Sequence, residues 1–239
     1  MNLSTVVTRI KLQLGIINIA TPIENLDETI VEIIQNITVP VFSIYSPYKK
    51  KLYIRTDDME LIEKTAEYER YVLPDFKTEK LIYVFDVSYD TGQLSGLSSY
   101  GAMPYYGGNL ISQLLLGNAS MNVYNQMIPK MTFNFIPPRE LLLYNVYSYT
   151  KVVLELGFEH DKSLITIPQS SSESFFKLAI LDVMDNLYPT VKQYSELQTA
   201  IGNINLRLDD WQNASDKRDE LLKEWDDVYH LDMKPIYYA

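Results

Sequence analysis

The chain has 239 residues, 46% of them hydrophobic, so it is long enough to bury a core of its own. It contains no cysteine and two histidines, which excludes disulfide frameworks, thiolate catalysis, iron–sulfur clusters and zinc sites built from cysteine or many histidines. A formal net charge of −10 disfavours generic binding to nucleic-acid phosphates.

Two amino-terminal helices are predicted from the spacing of their apolar residues. The first is capped by Ser4 and ends at Gly15. The second begins near Asn25 with Glu28 as a capping-box partner, and Pro40 is expected to end it. This region lacks the continuous apolar run of a secretory signal, and no stretch approaches the roughly 20 apolar residues of a membrane span.

Short segments rich in aromatic and β-branched residues follow and predict a central, mainly antiparallel sheet. The predicted strands are 41–45, 51–55, 81–85, 131–135, 141–144 and 151–157. A hairpin turn is predicted between the first two strands, and a short surface helix at 57–65. Residues 81–160 contain only eight charged side chains, which is typical of a buried or interface-forming sheet.

The segment 89–109 is predicted to be a long loop. It holds five of the nine glycines and four of the nineteen tyrosines, and no charged residue occurs between Asp90 and Lys130. Loops of this length in a compact domain are usually functional or disordered. An amphipathic helix is predicted to follow at 110–126.

The final third is predicted to be helical. A helix begins at Ser170–Ser172, is kinked by Pro189 and continues to Ile201, and another begins at Asp209 or Asp210 and ends near Tyr229. The predicted fold is therefore α+β: amino-terminal helices, the sheet, and a carboxyl-terminal pair of long helices. We expect an α+β body over 1–160, a helical region over 161–232 packed on it, and an extended tail over 233–239.

Candidate chemistry is sparse. His160 follows a predicted strand near Glu155, Glu159 and Asp161, so it is either a general base of a hydrolase or, the preferred interpretation, a solvated loop histidine. Segment 209–220 has the length of an EF-hand loop. Its composition instead favours a solvated helix face with Lys217, Arg218 and Lys223 as ion-pair partners. The sequence predicts no catalytic residue, no metal ligand and no cofactor.

The tyrosine-flanked lysines of 48–53 are the one basic patch. They are interpreted as a lysine-protected hairpin turn rather than as a contact to a nucleic-acid backbone.

Three stretches resemble neck proteins of contractile-tailed bacteriophages. They are Phe135-Ile136-Pro137-Pro138-Arg139; Glu159-His160-x3-Leu164-x-Thr166-Ile167-Pro168 with Phe175-Phe176-Lys177-Leu178-Ala179-x-Leu181-Asp182-Val183; and Ile204-Asn205-Leu206-x-Leu208-Asp209-Asp210-Trp211 with Arg218-x2-Leu221-Leu222 and Trp225. The resemblance is strongest over 131–230.

The resemblance implies a non-enzymatic structural protein of the virion, assembled in the host cytoplasm. It would form a ring at the head–tail junction, twelvefold or alternatively sixfold. The ring would link the portal protein to the tail terminator or other neck proteins and line a channel through which packaged DNA passes without specific binding. No membrane and no cofactor are implied.

Eight aromatic or apolar side chains are then expected to contact neighbouring subunits or partner proteins. They are Tyr100, Tyr105, Tyr106, Trp211, Trp225, Ile236, Tyr237 and Tyr238. The tail is expected to dock as an extended segment on an exposed strand edge. The first alternative is a soluble adaptor or regulatory protein with one interaction patch. A hydrolase that uses His160 is a less favoured alternative.

Overall fold

The computed structural model describes residues 1–16, 23–77, 79–89, 131–144, 146, 151–192, 196–199, 202–205 and 208–229. The fold is α+β as predicted, with helices towards both chain ends and strands between them. The chain forms two compact units: unit 1 comprises Met1–Tyr48 with Phe158–Ala239, and unit 2 comprises Lys49–Gly157. The sequence predicts a body over 1–160 and a helical region over 161–232, which groups the residues differently from these two units. That division into domains stays a prediction.

The first helix of unit 1, α1, spans Leu3–Gln13. Its cap is Asn2 rather than Ser4, because the Asn2 side chain accepts a hydrogen bond from the Ser4 amide at 3.1 Å. The predicted end is confirmed: Gly15 has a φ of 70°, a left-handed conformation that glycine adopts without steric cost. Asn25, which precedes the second helix, is also left-handed and makes no side-chain cap.

The second predicted helix does not end at Pro40. Helix α2 (Leu26–Ile33) passes into a π-helical turn (Ile34–Thr38) and then into α3 (Val39–Tyr45). Pro40 lies in the first turn of α3, directly after the π turn. The predicted strand at 41–45 and the hairpin turn after it are therefore wrong. The buried residues of α3 repeat at helical spacing: Val39, Phe42 and Ser43.

The carboxyl-terminal pair of long helices is confirmed. Helix α4 spans Ser172–Val191 after a 3-10 turn at Gln169–Ser171, and α5 (Leu208–Gln212) leads into α6 (Ala214–Tyr229). Helix α4 does not continue to Ile201 but ends at Val191, two residues after Pro189, which lies inside its last turn. A two-stranded antiparallel hairpin follows instead, formed by Glu196–Thr199 and Gly202–Asn205.

Helices from the two ends of the chain share one hydrophobic core in unit 1. Its fully buried members include residues of α1, α2, α3 and α4, and both tryptophans of the chain belong to it. Representative members are Ile10, Ile30, Phe42, Phe175, Val183, Trp211 and Trp225. The core of unit 1 therefore depends on contacts between residues far apart in sequence.

The predicted sheet is divided into two sheets. Strands β1 (Tyr48–Arg55), β7 (Lys151–Phe158) and β4 (Leu81–Tyr89) form one, in that order. The other is antiparallel, in the order β2 (Glu60–Lys64), β3 (Tyr68–Val72), β6 (Glu140–Tyr144) and β5 (Thr132–Ile136). The strands predicted at 51–55, 81–85, 131–135, 141–144 and 151–157 are confirmed.

The predicted surface helix at 57–65 is wrong. A 3-10 turn occupies Thr56–Asp58, and β2 follows it and pairs with β3, a strand that the sequence does not predict. The inward face of β3 contains Glu69, which is buried with the Tyr71 hydroxyl and the Lys64 ammonium as partners. Because a carboxylate stands at an inward position, the apolar alternation that identifies a strand is interrupted.

Other predicted segments lie outside the described residues. These are the rest of the long loop after Tyr89, the helix at 110–126 and the tail at 233–239. In the described ranges no helix combines the length and apolar character that crossing a membrane requires.

Candidate assembly surfaces and the networks that support them

The structure describes two of the eight predicted contact residues. Trp211 and Trp225 are both buried in the core of unit 1, so most of the area of each indole already contacts the chain itself. The other six lie outside the described residues: Tyr100, Tyr105, Tyr106, Ile236, Tyr237 and Tyr238. Contact of these residues with other chains stays a prediction.

Trp225 holds α6 against α3 through aromatic contacts. Its ring centroid lies 5.9 Å from that of Phe42 and 5.4 Å from that of Tyr45, both in edge-to-face geometry. Phe42 makes a further edge-to-face contact with Phe175 of α4 at 5.2 Å. Such pairs contribute about 0.5–1.5 kcal/mol each beyond the area they bury. The aromatic cluster therefore joins three helices of unit 1.

A buried carboxylate joins the same part of the fold by polar contacts. Asp182 of α4 is fully buried, and its Oδ2 accepts a hydrogen bond from Thr38 Oγ1 at 2.7 Å. Its Oδ1 accepts a bond from Arg218 Nε of α6 at 2.6 Å. Burial raises the pKa of Asp182, while the bonds from Arg218 and Thr38 oppose that shift by favouring the ionised form. The π turn, α4 and α6 meet at this carboxylate.

The Asp182 network is not predicted from the sequence, which instead places Arg218 on a solvated helix face with acidic neighbours. The available signal is the position of Asp182 on an otherwise apolar face, between the buried residues Ala179 and Val183 of α4. A carboxylate at such a position requires a buried partner. The sequence does not show which of the chain's cations fulfils that requirement.

His160 is a buried structural histidine. It is 4% exposed, and its Nε2 donates to the Ser46 carbonyl oxygen at 2.6 Å. Nδ1 lies 2.9 Å from Thr166 Oγ1, which itself accepts a bond from the Asp161 amide. Since a carbonyl only accepts, the neutral ring carries its proton on Nε2 and accepts from the Thr166 hydroxyl at Nδ1. Burial lowers the pKa of His160.

This geometry corrects the preferred interpretation of His160 as a solvated loop residue, and it gives no support to the hydrolase. A general base needs a free nitrogen within reach of a substrate proton, whereas both ring nitrogens here have partners inside the chain. The Asp161 carboxylate accepts from the Ser163 amide at 2.6 Å. The backbone amide of His160 is also bound, by Ser43 Oγ at 3.0 Å. His160 therefore fixes the turn after β7 against the end of α3.

The acidic segment 209–220 is a helix surface, at the residues that the structure describes, and not a calcium loop. Residues 208–212 and 214–220 are helical, and Lys217 Nζ lies 3.4 Å from Asp210 Oδ1. In the described parts of the chain no three histidine, cysteine, aspartate or glutamate side chains are grouped so that they could hold a metal ion.

Two strands of unit 2 present exposed side chains of opposite character. Alternate residues of β1 point outward, and they include Lys49, Lys51 and Arg55 together with Tyr53, which is 66% exposed. All five residues of β2 are exposed. They include two adjacent apolar residues that are 47% and 48% exposed, Leu61 and Ile62. Large exposed apolar side chains at neighbouring positions are characteristic of interaction surfaces.

The charges of these strands are sharply separated. Tyr48–Arg55 contains three lysines, one arginine and no acidic residue, whereas residues 56–69 contain six acidic residues and one lysine. Some of these charges have partners within unit 2: Lys49 lies near Glu155 at 3.9 Å, and Arg55 lies 3.5 Å from Asp57. Lys51 and Glu60 have no ion-pair partner among the described residues.

The model of a family described as bacteriophage ring protein matches residues 1–239. No curated protein matches the sequence. The match supports the resemblance to neck proteins of contractile-tailed bacteriophages only at the coarser level of a phage ring protein, and it implies a structural component of a virion that associates with itself. Because the match covers every residue, this chain belongs to the bacteriophage ring protein family.

Proposed function

We propose that the protein forms a closed ring at the head–tail junction of a tailed phage, where it links the portal to the tail and lines the DNA channel. The observation that carries this proposal is the match of the ring protein family to the entire chain. The sequence resemblance to neck proteins supplies the position in the virion. The neighbours in this arrangement are the portal protein and the tail terminator or other neck proteins.

The charge distribution supports a channel that DNA passes without binding. The carboxyl-terminal third carries fourteen acidic and eight basic residues. Helix α6 presents six exposed acidic side chains, at Asp216, Asp219, Glu220, Glu224, Asp226 and Asp227. A surface of this sign repels phosphates, so DNA would not adhere to it.

The buried networks of unit 1 suit a subunit of a closed ring. A ring closes only if every subunit presents its two contact surfaces at the same angle. Asp182 and Trp225 hold α6 against helices that are distant in sequence, and this keeps the shape of unit 1 constant. In this arrangement the two tryptophans position the helices, and further contact area comes from Tyr100, Tyr105, Tyr106, Ile236, Tyr237 and Tyr238.

The mass of the assembled particle tests the ring. The chain has a mass of 27.7 kDa, so twelve subunits give about 330 kDa and six give about 170 kDa. Mass photometry of the purified full-length protein is expected to show one of these species, with a central hole visible by electron microscopy. A monomer or a dimer at micromolar concentration would contradict the ring and favour an adaptor protein.

The position in the virion requires a separate measurement. Gold-labelled antibody against the protein, applied to intact virions, is expected to label the junction between head and tail. Antibody against the major capsid protein is the control for labelling of the head. Label at the distal end of the tail would be compatible with a ring, but it would overturn the placement of that ring at the neck.

A further inference from the structure

We propose that the ring is held together by a contact between β2 of one subunit and the outward face of β1 of a second copy of the chain. This inference rests on the proposed ring and names the surfaces that form it. The two surfaces differ, so each subunit uses β2 towards one neighbour and β1 towards the other. Contacts of this head-to-tail kind generate rings when the rotation closes.

Strand β2 has the exposure expected of an interface. All five of its residues are exposed, and Leu61 and Ile62 are adjacent large apolar side chains that are each about half exposed. The strand lies at the edge of its sheet, with β3 as its neighbour on one side.

The outward face of β1 has the complementary composition. Tyr53 is the large exposed side chain at its centre, with Lys51 and Arg55 on either side at the same face. Tyrosine is enriched at protein interfaces because its ring packs against apolar groups while its hydroxyl stays solvated. An apolar centre formed by Tyr53, Leu61 and Ile62 would thus be surrounded by charges of opposite sign.

Charge complementarity identifies the occupant as a second copy. The β1 segment is wholly basic and the β2 segment is mainly acidic, so each is suited to bind the other and to repel itself. Repulsion between like surfaces disfavours a symmetric β1–β1 or β2–β2 contact. Since Lys51 and Glu60 have no ion-pair partner among the described residues, both charges are available for a contact between chains.

The backbone of β2 favours docking through side chains over extension of the sheet. The register of β2 against β3 shifts between Leu61 and Glu63, which leaves Ile62 as an extra residue in a bulge. A bulge disrupts the regular spacing of N–H and C=O groups that a further strand requires. The contact therefore involves the side chains of Glu60, Leu61 and Ile62, and it does not convert the sheets into an open-ended fibre.

Charge reversal tests the contact directly. Lys51→Glu and Glu60→Lys are each expected to raise the subunit concentration needed for half-assembly by about tenfold or more, because one attractive pair in each interface becomes repulsive. Mixing the two variants in equal amounts is expected to restore rings, since each junction then pairs opposite charges. The double variant Lys51→Glu/Glu60→Lys exchanges the two charges in every subunit, so each interface again pairs opposite charges. It is expected to assemble into rings without a partner variant.

Matched controls separate this contact from an effect of net charge. Lys223→Glu and Glu220→Lys change the charge by the same amounts at exposed positions of α6 in unit 1, and they are expected to leave assembly unchanged. Equal loss of rings in these controls would overturn the assignment to β1 and β2. Circular dichroism should report the same fold for all variants.

The outcomes distinguish this inference from the ring itself. If the wild type forms no ring, the proposed function fails; if the wild type and both charge reversals form rings equally well, only the β1–β2 contact is overturned. Retention of a 40-base-pair DNA duplex by the wild type, lost in Lys51→Glu with rings intact, would assign the basic face to nucleic acid instead.

Discussion

The Oδ1 atom of Asp182 lies 2.6 Å from Nε of Arg218, and the carboxylate has no exposed surface. The two residues are 36 positions apart and belong to α4 and α6, the two long carboxyl-terminal helices. A buried ion pair contributes little net stability against an apolar pair of the same volume, yet loss of one partner leaves an uncompensated charge.

Removal of either partner is therefore expected to destabilise the protein strongly. Asp182→Ala and Arg218→Ala should each lower the free energy of unfolding by about 3–5 kcal/mol, measured by urea denaturation. The double variant Asp182→Leu/Arg218→Met should be more stable than either single variant, because no charge remains buried without a partner. Additive losses in the double variant would show that the pair does not act as a unit.

The Thr38 hydroxyl is expected to contribute less. Thr38→Val keeps the shape of the side chain and removes the 2.7 Å bond to Asp182, so the free energy of unfolding should fall by about 1.5–3 kcal/mol, as for a bond to a charged group. Thr29→Val is the matched control, since the Thr29 hydroxyl donates to the main-chain carbonyl of Asn25, the residue that precedes α2, and not to a charged group. If the two variants lost the same free energy of unfolding, the bond from Thr38 in the π turn to Asp182 would contribute no more than an ordinary hydroxyl–carbonyl bond.

His160 is expected to make stability depend on pH. Its pKa is lowered in the folded state, so as the pH falls below about 6.5 the unfolded chain takes up a proton before the folded one does. The contribution of His160 to the free energy of unfolding should therefore be highest above this pH and decrease by up to about 1.4 kcal/mol per pH unit below it. The loss ends once the folded state is protonated as well.

The variant His160→Gln isolates that contribution. It should be less stable at pH 8 by about 1–3 kcal/mol, because it cannot reproduce both bonds of the imidazole, and the difference from the wild type should shrink from pH 6.5 to pH 5. Asp182, whose raised pKa makes stability fall as the pH rises above about 4, is present in both proteins and cancels in the difference. A difference that does not vary with pH would contradict the lowered pKa.

The aromatic cluster provides a test of the core. Trp225→Ala removes the contacts with Phe42 and Tyr45 and should lower the free energy of unfolding by about 3–5 kcal/mol. Val228→Ala on the same helix is the control, because Val228 is exposed, and it should change stability by no more than about 0.5 kcal/mol. A small effect of Trp225→Ala would mean that the indole contributes little to holding α6 in place.

Local patterns predict most elements of this fold but miss those that depend on distant partners. Residues 41–45 have the composition of a strand, yet they form a helix because Phe42 enters the core beside Phe175 and Trp225, which the local sequence does not contain. In β3, the buried Glu69 interrupts the apolar alternation. The sequence predicts that Trp211 and Trp225 contact other chains; the structure shows both buried in the core of unit 1, which a composition-based prediction does not anticipate, and their contact with other chains stays a prediction.

The π turn at Ile34–Thr38 has a consequence for how this region can vary. Successive residues of an α-helix are rotated by about 100°. A π turn takes up one more residue than an α turn for nearly the same rotation, so a regular α-helix over the same residues would rotate everything after it by about 100°, carrying Phe42 off the core and Thr38 away from Asp182. We therefore expect related chains either to keep a π turn here or to have one residue fewer between α2 and α3, because both arrangements leave α3 with the same face towards the core.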